Sequence, residues 1–352
     1  MNPKQPSNSR ATALALLVAW LVVSATGCRA QPPRLVKVYE ARGAMGTYVA
    51  ITVFAPSEAL GRKAIEAAFA RIERVEQAAS TYRPNSEVSR LVAAAGGQPV
   101  AISPCLAALL RRGTEIAEET DGAFDMTCGP LVMLWRKTWK RGKMPSAAQV
   151  EATKALVDRR ALKLSPDGKK AQLLKSGMSL ALGGIAKGYA VDQAVAAIRQ
   201  AGITSALVDA GGDIYALGSP PYRNRWLVGV RDPGHPDDIL PKALAVANQG
   251  VATSGDYLQG VKIGGRTYSH ILDPRTGQPV EKMASVTVVA PDATTADAYA
   301  TAASVLGPKK AIEFGESHPG VEIMVIHREG KRLVQLRTSG FARLEVVPEK
   351  ED

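Results

Sequence analysis

KGYAVDQAVAAIR (187–199), followed by SALVDA (205–210), DIYALG (213–218) and RWLVGV (225–230), is the stretch that decides the fold. The first segment repeats its apolar residues at helical spacing. The next three are short, rich in β-branched and aromatic residues, and closed by Gly, Asn or Pro, so they read as strands. The turns between them are hairpin-like. A helix leading into such strands points to an α+β fold, with mixed or largely antiparallel sheets and packed helices.

Outward from this stretch the pattern continues. Residues 36–54 read as two strands around Gly43-Ala44-Met45-Gly46. Ser57 is a plausible N-cap for an amphipathic helix to about residue 77. An irregular segment, STYRPNSE (80–87), leads to a short helix from Val88, and Pro104 starts another that ends at Asp121-Gly122. The basic run 136–143 reads as a surface loop before a short helix capped by Met144-Pro145-Ser146. Downstream, short strands are expected at 251–256, 268–272 and 285–289. An Ala-rich helix (293–306) is stopped by Gly307-Pro308, and a hairpin (322–336) turns at Glu329-Gly330. No internal repeat interrupts this order.

The 352 residues are 46% hydrophobic and 22% charged, ordinary values for a chain with a sizeable core. A net charge of +11 favours anionic partners. No helix-turn-helix, zinc-finger or RNP pattern accompanies it, so nucleic acid is not an expected partner. Lys4 and Arg10 precede the apolar run ATALALLVAWLVV (11–23), which is too short to span a bilayer comfortably and ends in Ser24-Ala25-Thr26-Gly27. Residues 1–27 therefore read as a secretory signal. Cys28 follows directly and resembles a lipoprotein acceptor, a plain signal peptide cut nearby being the alternative, with residues 28–35 as a tether and 36–350 as the working domain. Cys105 and Cys128 are the remaining cysteines, and sequence leaves open whether they pair.

Four segments carry candidate chemistry. In GGIAKGYAVD (183–192) two glycines let the backbone approach a ligand just before a helix N-terminus, where anions are favoured, and Lys187 adds positive charge. The spacing is neither a Walker motif nor a dinucleotide fingerprint, and a purely structural turn is the alternative. In TTADAYATAAS (294–304), Asp297 and Thr301 lie on one helix face. With a carbonyl and waters or phosphate oxygens they suit a hard cation such as Mg²⁺; otherwise Asp297 is a surface acid. His270, in YSHILDPRTGQPV (268–280), sits among strand residues before a turn and is either a general base or a turn-holding His. Tyr82 is placed like an aromatic that stacks on a flat ring, unless it is core, and Asp125 accepts hydrogen bonds from a ligand or holds a turn. His235, His318 and His327 lack metal spacing, and no HExxH, CxxC or GxSxG motif exists.

These pieces occur in a specific order. Met45-Gly46-Thr47, STYRPNSEVSRL, DGAFDMTCGPLVMLW, LGGIAKGYAVD, LVDAGGDIYALG, VATSGDY, SHILDPRTGQPV and ADAYATAASVLG together resemble the successive blocks of the ApbE family, from about residue 39 to 315. The resemblance implies a Mg²⁺-dependent FAD:protein FMN transferase, often a lipoprotein, with FAD as substrate. It implies that Met45 contacts FAD, that Tyr82 stacks on the isoalloxazine, and that Ala123, Phe124 and Asp125 line the flavin. Gly183, Lys187, Tyr189, Ile271 and Ala300 are likewise implied to touch FAD. The Ala186 carbonyl and the Asp297 and Thr301 side chains are implied metal ligands, and His270 the base. Some relatives carry acidic residues where Ala181 and Lys187 stand. The implied partner is a membrane flavoprotein subunit bearing an acceptor Thr or Ser, met by a chain lipid-anchored to a bacterial membrane and facing the periplasm. Two other readings compete: a Mg²⁺-dependent FAD pyrophosphatase giving FMN and AMP, and a periplasmic FAD-binding lipoprotein without chemistry. Mass spectrometry of the cell-derived protein is expected to find an N-terminus at acylated Cys28; an unmodified N-terminus sinks that expectation.

Overall fold

Eight strands pair side by side in the order in which the chain makes them. They are β1 (Val36–Ala44), β2 (Thr47–Ala55), β3 (Ser205–Ala210), β4 (Asp213–Leu217), β5 (Gln249–Gly255), β6 (Met283–Ala290), β7 (Glu322–Glu329) and β8 (Arg332–Arg337). Every neighbouring pair is antiparallel, so the expected mixed or antiparallel sheet is an antiparallel meander. The computed structural model describes Met1 and residues 34–348, apart from 236, 256–260, 264–265, 282 and 331. The expected signal segment, Cys28 and most of the tether lie outside the described residues. From Val36 onward the chain forms one compact unit.

In an antiparallel meander successive links alternate between the two ends of the sheet. One end carries the turns at Met45-Gly46 and Gly211-Gly212 and the connection between β5 and β6. The other end launches the long excursions that hold the helices. Eight are described: α1 (Glu58–Ala79), α2 (Glu87–Ala93), α3 (Pro104–Glu119), α4 (Gly129–Arg141), α5 (Ala147–Lys154), α6 (Ala186–Gln200), α7 (Ala293–Leu306) and α8 (Pro308–Glu316). Helices α1, α6, α7 and α8 lie side by side over β1–β2, β3–β4, β5–β6 and β7–β8 respectively. Ile51, Val53, Ile65, Ile72, Val191, Ile198, Val208 and Val286 close the layer between them. Side chains of Ser57, Ser86, Ser103, Ser146 and Asp292 each accept a backbone N–H at a helix start, satisfying donors that helix geometry leaves open.

Helices α6 and α7 run antiparallel at unusually close range. Asp192 on α6 accepts the backbone N–H groups of Ala293 (2.9 Å) and Thr294 (2.8 Å) and the Thr294 hydroxyl, tying its second turn to the start of α7. One turn earlier Gly188 donates its N–H to Asp297 Oδ2 at 3.1 Å. One turn earlier again, a Cβ on Gly184 would stand 2.6 Å from Thr301 Oγ1. Only hydrogen in place of a side chain permits this approach.

Several expectations change. The basic run 136–143 is not a loop: α4 continues through Arg141 and ends at Gly142, in a left-handed conformation (φ 64°). Leu131, Trp135 and Thr138 are buried along one face, and that helical stripe outweighs the solvated charges of the other. The strand expected at 268–272 stops at Tyr268. Beyond it Ser269 Oγ takes the Ile271 N–H and the Asp273 carbonyl takes those of Thr276 and Gly277, so the backbone is committed to local turns. Pro308 does more than end α7, since it occupies the first turn of α8. Cys105 and Cys128 are both unpaired.

A Cβ at Gly188 would lie 2.2 Å from the Ala293 carbonyl oxygen, a backbone atom that cannot swing away. Gly188→Ala is therefore expected to destabilise by about 1–3 kcal/mol or more, the range for overpacking. Thermal denaturation checks this; an unchanged melting temperature contradicts the close contact.

Candidate functional site

Lys187, in the first turn of α6, is the hub of the site end of the sheet. Its ammonium pairs with Asp213, the buried first residue of β4. Asp209, at the end of β3, accepts the Gly212 N–H at 2.8 Å and so holds the Gly211-Gly212 turn that aims Asp213 at Lys187. Burial pushes the Asp209 carboxyl above its ordinary range, opposed by that N–H and by Lys187.

Asp297 is only 4% exposed, which excludes a surface role. Burial raises its proton affinity, while the Lys187 charge and the Gly188 N–H act against the shift. Oδ2 takes that N–H; Oδ1 and the Thr301 hydroxyl accept nothing among the described residues. A buried carboxylate with an uncommitted oxygen, a hydroxyl one turn on, and the adjoining start of α6 at Ala186 make a hard-oxygen donor set. Those residues fit Mg²⁺. No cluster of three or more His, Cys, Asp or Glu side chains with metal-ligating geometry occurs among the described residues, so the remaining ligands would be waters or substrate oxygens.

His270 belongs to the same neighbourhood. Burial lowers its proton affinity and the positive charge of Lys187 lowers it further. Its Nδ1 is buried with no hydrogen-bond partner. The adjacent turns are held by Ser269 and Asp273 instead, so the ring is not what holds them. Ile271, beside it, is buried.

The remaining candidates are arranged around this centre in different ways. Met45 adopts φ +54° in the β1–β2 turn, rare for a residue with a side chain, and its N–H is fixed by Glu76 Oε2 at 3.1 Å. The same sheet end carries Thr47, whose Oγ1 lies against Gly211. Gly183 faces open space. Tyr189 donates to the Cys105 carbonyl (3.4 Å), and burial pushes its phenol up to about 12. Tyr82 is 75% exposed and so is no core residue; Arg136 donates to its hydroxyl at 2.6 Å, with the guanidinium 5.2 Å from the ring centroid. Asp125 takes both the N–H and the hydroxyl of Thr127, so it holds a turn. Ala123, Phe124 and Ala300 are buried in the core, which leaves little beyond backbone for a ligand at the first two. Sequence reading assigned no role to Asp209, Asp213 or Asp192. The available signal was a pair of strand-end aspartates flanking Gly-Gly, four residues apart.

An antiparallel meander backed by helices, with an oxygen-donor pair, a lysine and an unpartnered histidine converging at one sheet end, defines an α+β class of binding or catalytic protein. The model described as the ApbE family matches residues 45–325, and the chain belongs to that family. It is 34% identical to an FAD:protein FMN transferase of Treponema pallidum, over 80% of this chain and 82% of that one. It is 30% identical to the Escherichia coli protein of the same name, over 91% and 93%. Among solved structures, the ApbE protein of Thermotoga maritima superimposes with a TM-score of 0.79 at 30% identity, covering 88% of this chain and all of that one. The flavin transferase ApbE of Vibrio cholerae gives 0.75 at 26%, covering 88% and 99%.

The depressed proton affinity of His270 sets a measurable sign. Its folded-state midpoint lies below about 6.5, the unperturbed value, so the unfolded chain binds the proton more readily. The corresponding stability is present above about pH 6.5 and is lost as pH falls toward the folded midpoint. NMR titration of the ring is expected to show the lowered midpoint; one at or above 6.5 refutes the buried, Lys187-facing placement.

Proposed function

We propose that this protein transfers the FMN moiety of FAD to a Ser or Thr hydroxyl of a target protein, with Mg²⁺ and with release of AMP. The observation that carries this reading is the contact of α6 with α7, where Gly184 meets Thr301 and Gly188 meets Asp297. The names of the relatives support the same chemistry.

The acceptor oxygen attacks the FMN phosphorus, the P–O bond to AMP breaks, and the hydroxyl proton passes to His270. Neutral imidazole is the form that can accept it, and burial beside Lys187 keeps the ring neutral at neutral pH. Lys187, partly neutralised by Asp213, offers a limited positive charge to the pyrophosphate. Asp297, Thr301 and the Ala186 carbonyl would hold the cation. When bound, Mg²⁺ neutralises charge on the pyrophosphate as the bond to AMP breaks. Exposed Tyr82 offers a ring face to the isoalloxazine. Export, lipidation at Cys28 and a periplasm-facing position beside a membrane flavoprotein target belong to the same proposal.

Protein mixed with FAD and Mg²⁺, with and without an acceptor, is expected to release AMP only with acceptor. AMP without acceptor indicates a pyrophosphatase, and none in either case a carrier. Asp297→Ala is expected to lose transfer by orders of magnitude, consistent with the several kcal/mol a metal supplies; wild-type activity of that variant at limiting Mg²⁺ removes the metal assignment.

A further inference from the structure

Helix α4 has two faces that do different things. Trp135 points inward and donates its indole N–H to the Gly277 carbonyl at 2.8 Å, with its ring 6.2 Å from that of Tyr268. This anchors α4 to the segment that carries His270. Just upstream of α4, the Met126 carbonyl takes the Ala181 N–H (2.7 Å), next to the glycine block. Arg136 reaches Tyr82. Helix α4 is therefore a wall of the site.

The outer face is basic. Arg136, Lys137, Lys140 and Arg141 are exposed, and at about 100° per residue they share with exposed Met133 an arc of about 140° opposite Trp135. Lys143 and Met144 extend it beyond the helix. No acidic residue occurs between Gly129 and Val150. Lys137, Lys140, Arg141 and Lys143 form no ion pair among the described residues. Uncompensated like charges on consecutive turns repel one another, and an anionic partner relieves that repulsion.

We propose that this face of α4 is the docking surface for the acceptor protein, and that it engages acidic residues flanking the acceptor hydroxyl. The inference rests on the transferase reading above. Position favours a polypeptide over a bilayer. At its edge the basic face meets the site through Arg136, which donates to Tyr82, the exposed ring offered to the isoalloxazine.

The test uses two short fluorescein-labelled threonine peptides, identical except that the aspartates of one are asparagines in the other. Anisotropy is read with the wild-type chain and with the variant K137E/K140E/R141E, Arg136 being left in place because it holds Tyr82. The expected result is that the aspartate peptide binds wild type about tenfold more tightly than either the asparagine peptide or the variant pairing. Its binding should weaken as salt rises, while FAD affinity and melting temperature stay at wild-type values. K137Q/K140Q/R141Q, with a smaller loss in the same direction, keeps the test valid if charge reversal unfolds the helix. Equal binding by wild type and variants overturns the proposal. So does a loss of phosphatidylglycerol-vesicle binding with peptide binding intact, which assigns the face to lipid. Charge-dependent peptide binding without AMP release supports the surface and retires the transfer reading. AMP release indifferent to peptide charge and to the substitutions overturns the surface and leaves transfer standing.

Discussion

The contact between α6 and α7 is the constraint on which the site depends. Two glycines at one-turn spacing allow α6 to lie against Thr301 and Asp297, and Asp192 clamps the far end of the contact to the start of α7. The three contacts fix rotation and slide together. A shift of one residue would turn Asp297 away from the start of α6, because helix neighbours face one another only at three- and four-residue spacing. The sheet beneath supplies the platform, since α6 covers β3–β4 and α7 covers β5–β6.

Charge organisation follows from that geometry. A single ammonium, Lys187, stands among Asp209, Asp213, Asp297 and His270. Burial raises proton affinity in Asp209 and Asp297 and lowers it in the imidazole, and Lys187 pushes these three towards their less protonated forms. One cation therefore favours both an ionised Asp297, able to ligate, and a neutral His270, able to accept a proton. The Gly-Gly turn between β3 and β4 is part of the same device, because it brings Asp213 to the lysine.

Much of this was legible in the sequence, for local reasons. Ser57, Pro104, Ser146 and Gly307-Pro308 mark helix ends by chemistry that acts within one turn, and the observed elements begin or end there. The four-residue spacing of Asp297 and Thr301 likewise needs no tertiary information. What escaped notice depends on partners distant in sequence. Asp213 matters through a lysine 26 residues away, and Asp192 through N–H groups about a hundred residues on. The basic run after Trp135 read as a loop because its charges dominate the composition, whereas its helical state is set by the buried indole and the Gly277 carbonyl it meets. His270 was misplaced on a strand because Ile271 and Leu272 look β-forming, while Ser269 and Asp273 divert the backbone locally.

The sequential strand order carries a consequence for how the protein assembles. Hairpins β1–β2, β3–β4 and β7–β8 close across turns of about two residues, but β2 meets β3 only after the chain has travelled from Ala55 to Ser205. Closing so long an excursion costs about 4 kcal/mol more entropy than closing a two-residue turn, by the logarithmic dependence on length. The seam between β2 and β3 runs directly past the Met45 turn on one side and the Gly211-Gly212 turn on the other. The Met45 turn comes beside the Gly211-Gly212 turn only when this junction closes. Bringing those two turns together therefore waits on the most non-local pairing in the eight-stranded sheet, and a molecule that touched both would favour the closed seam by binding only the folded form.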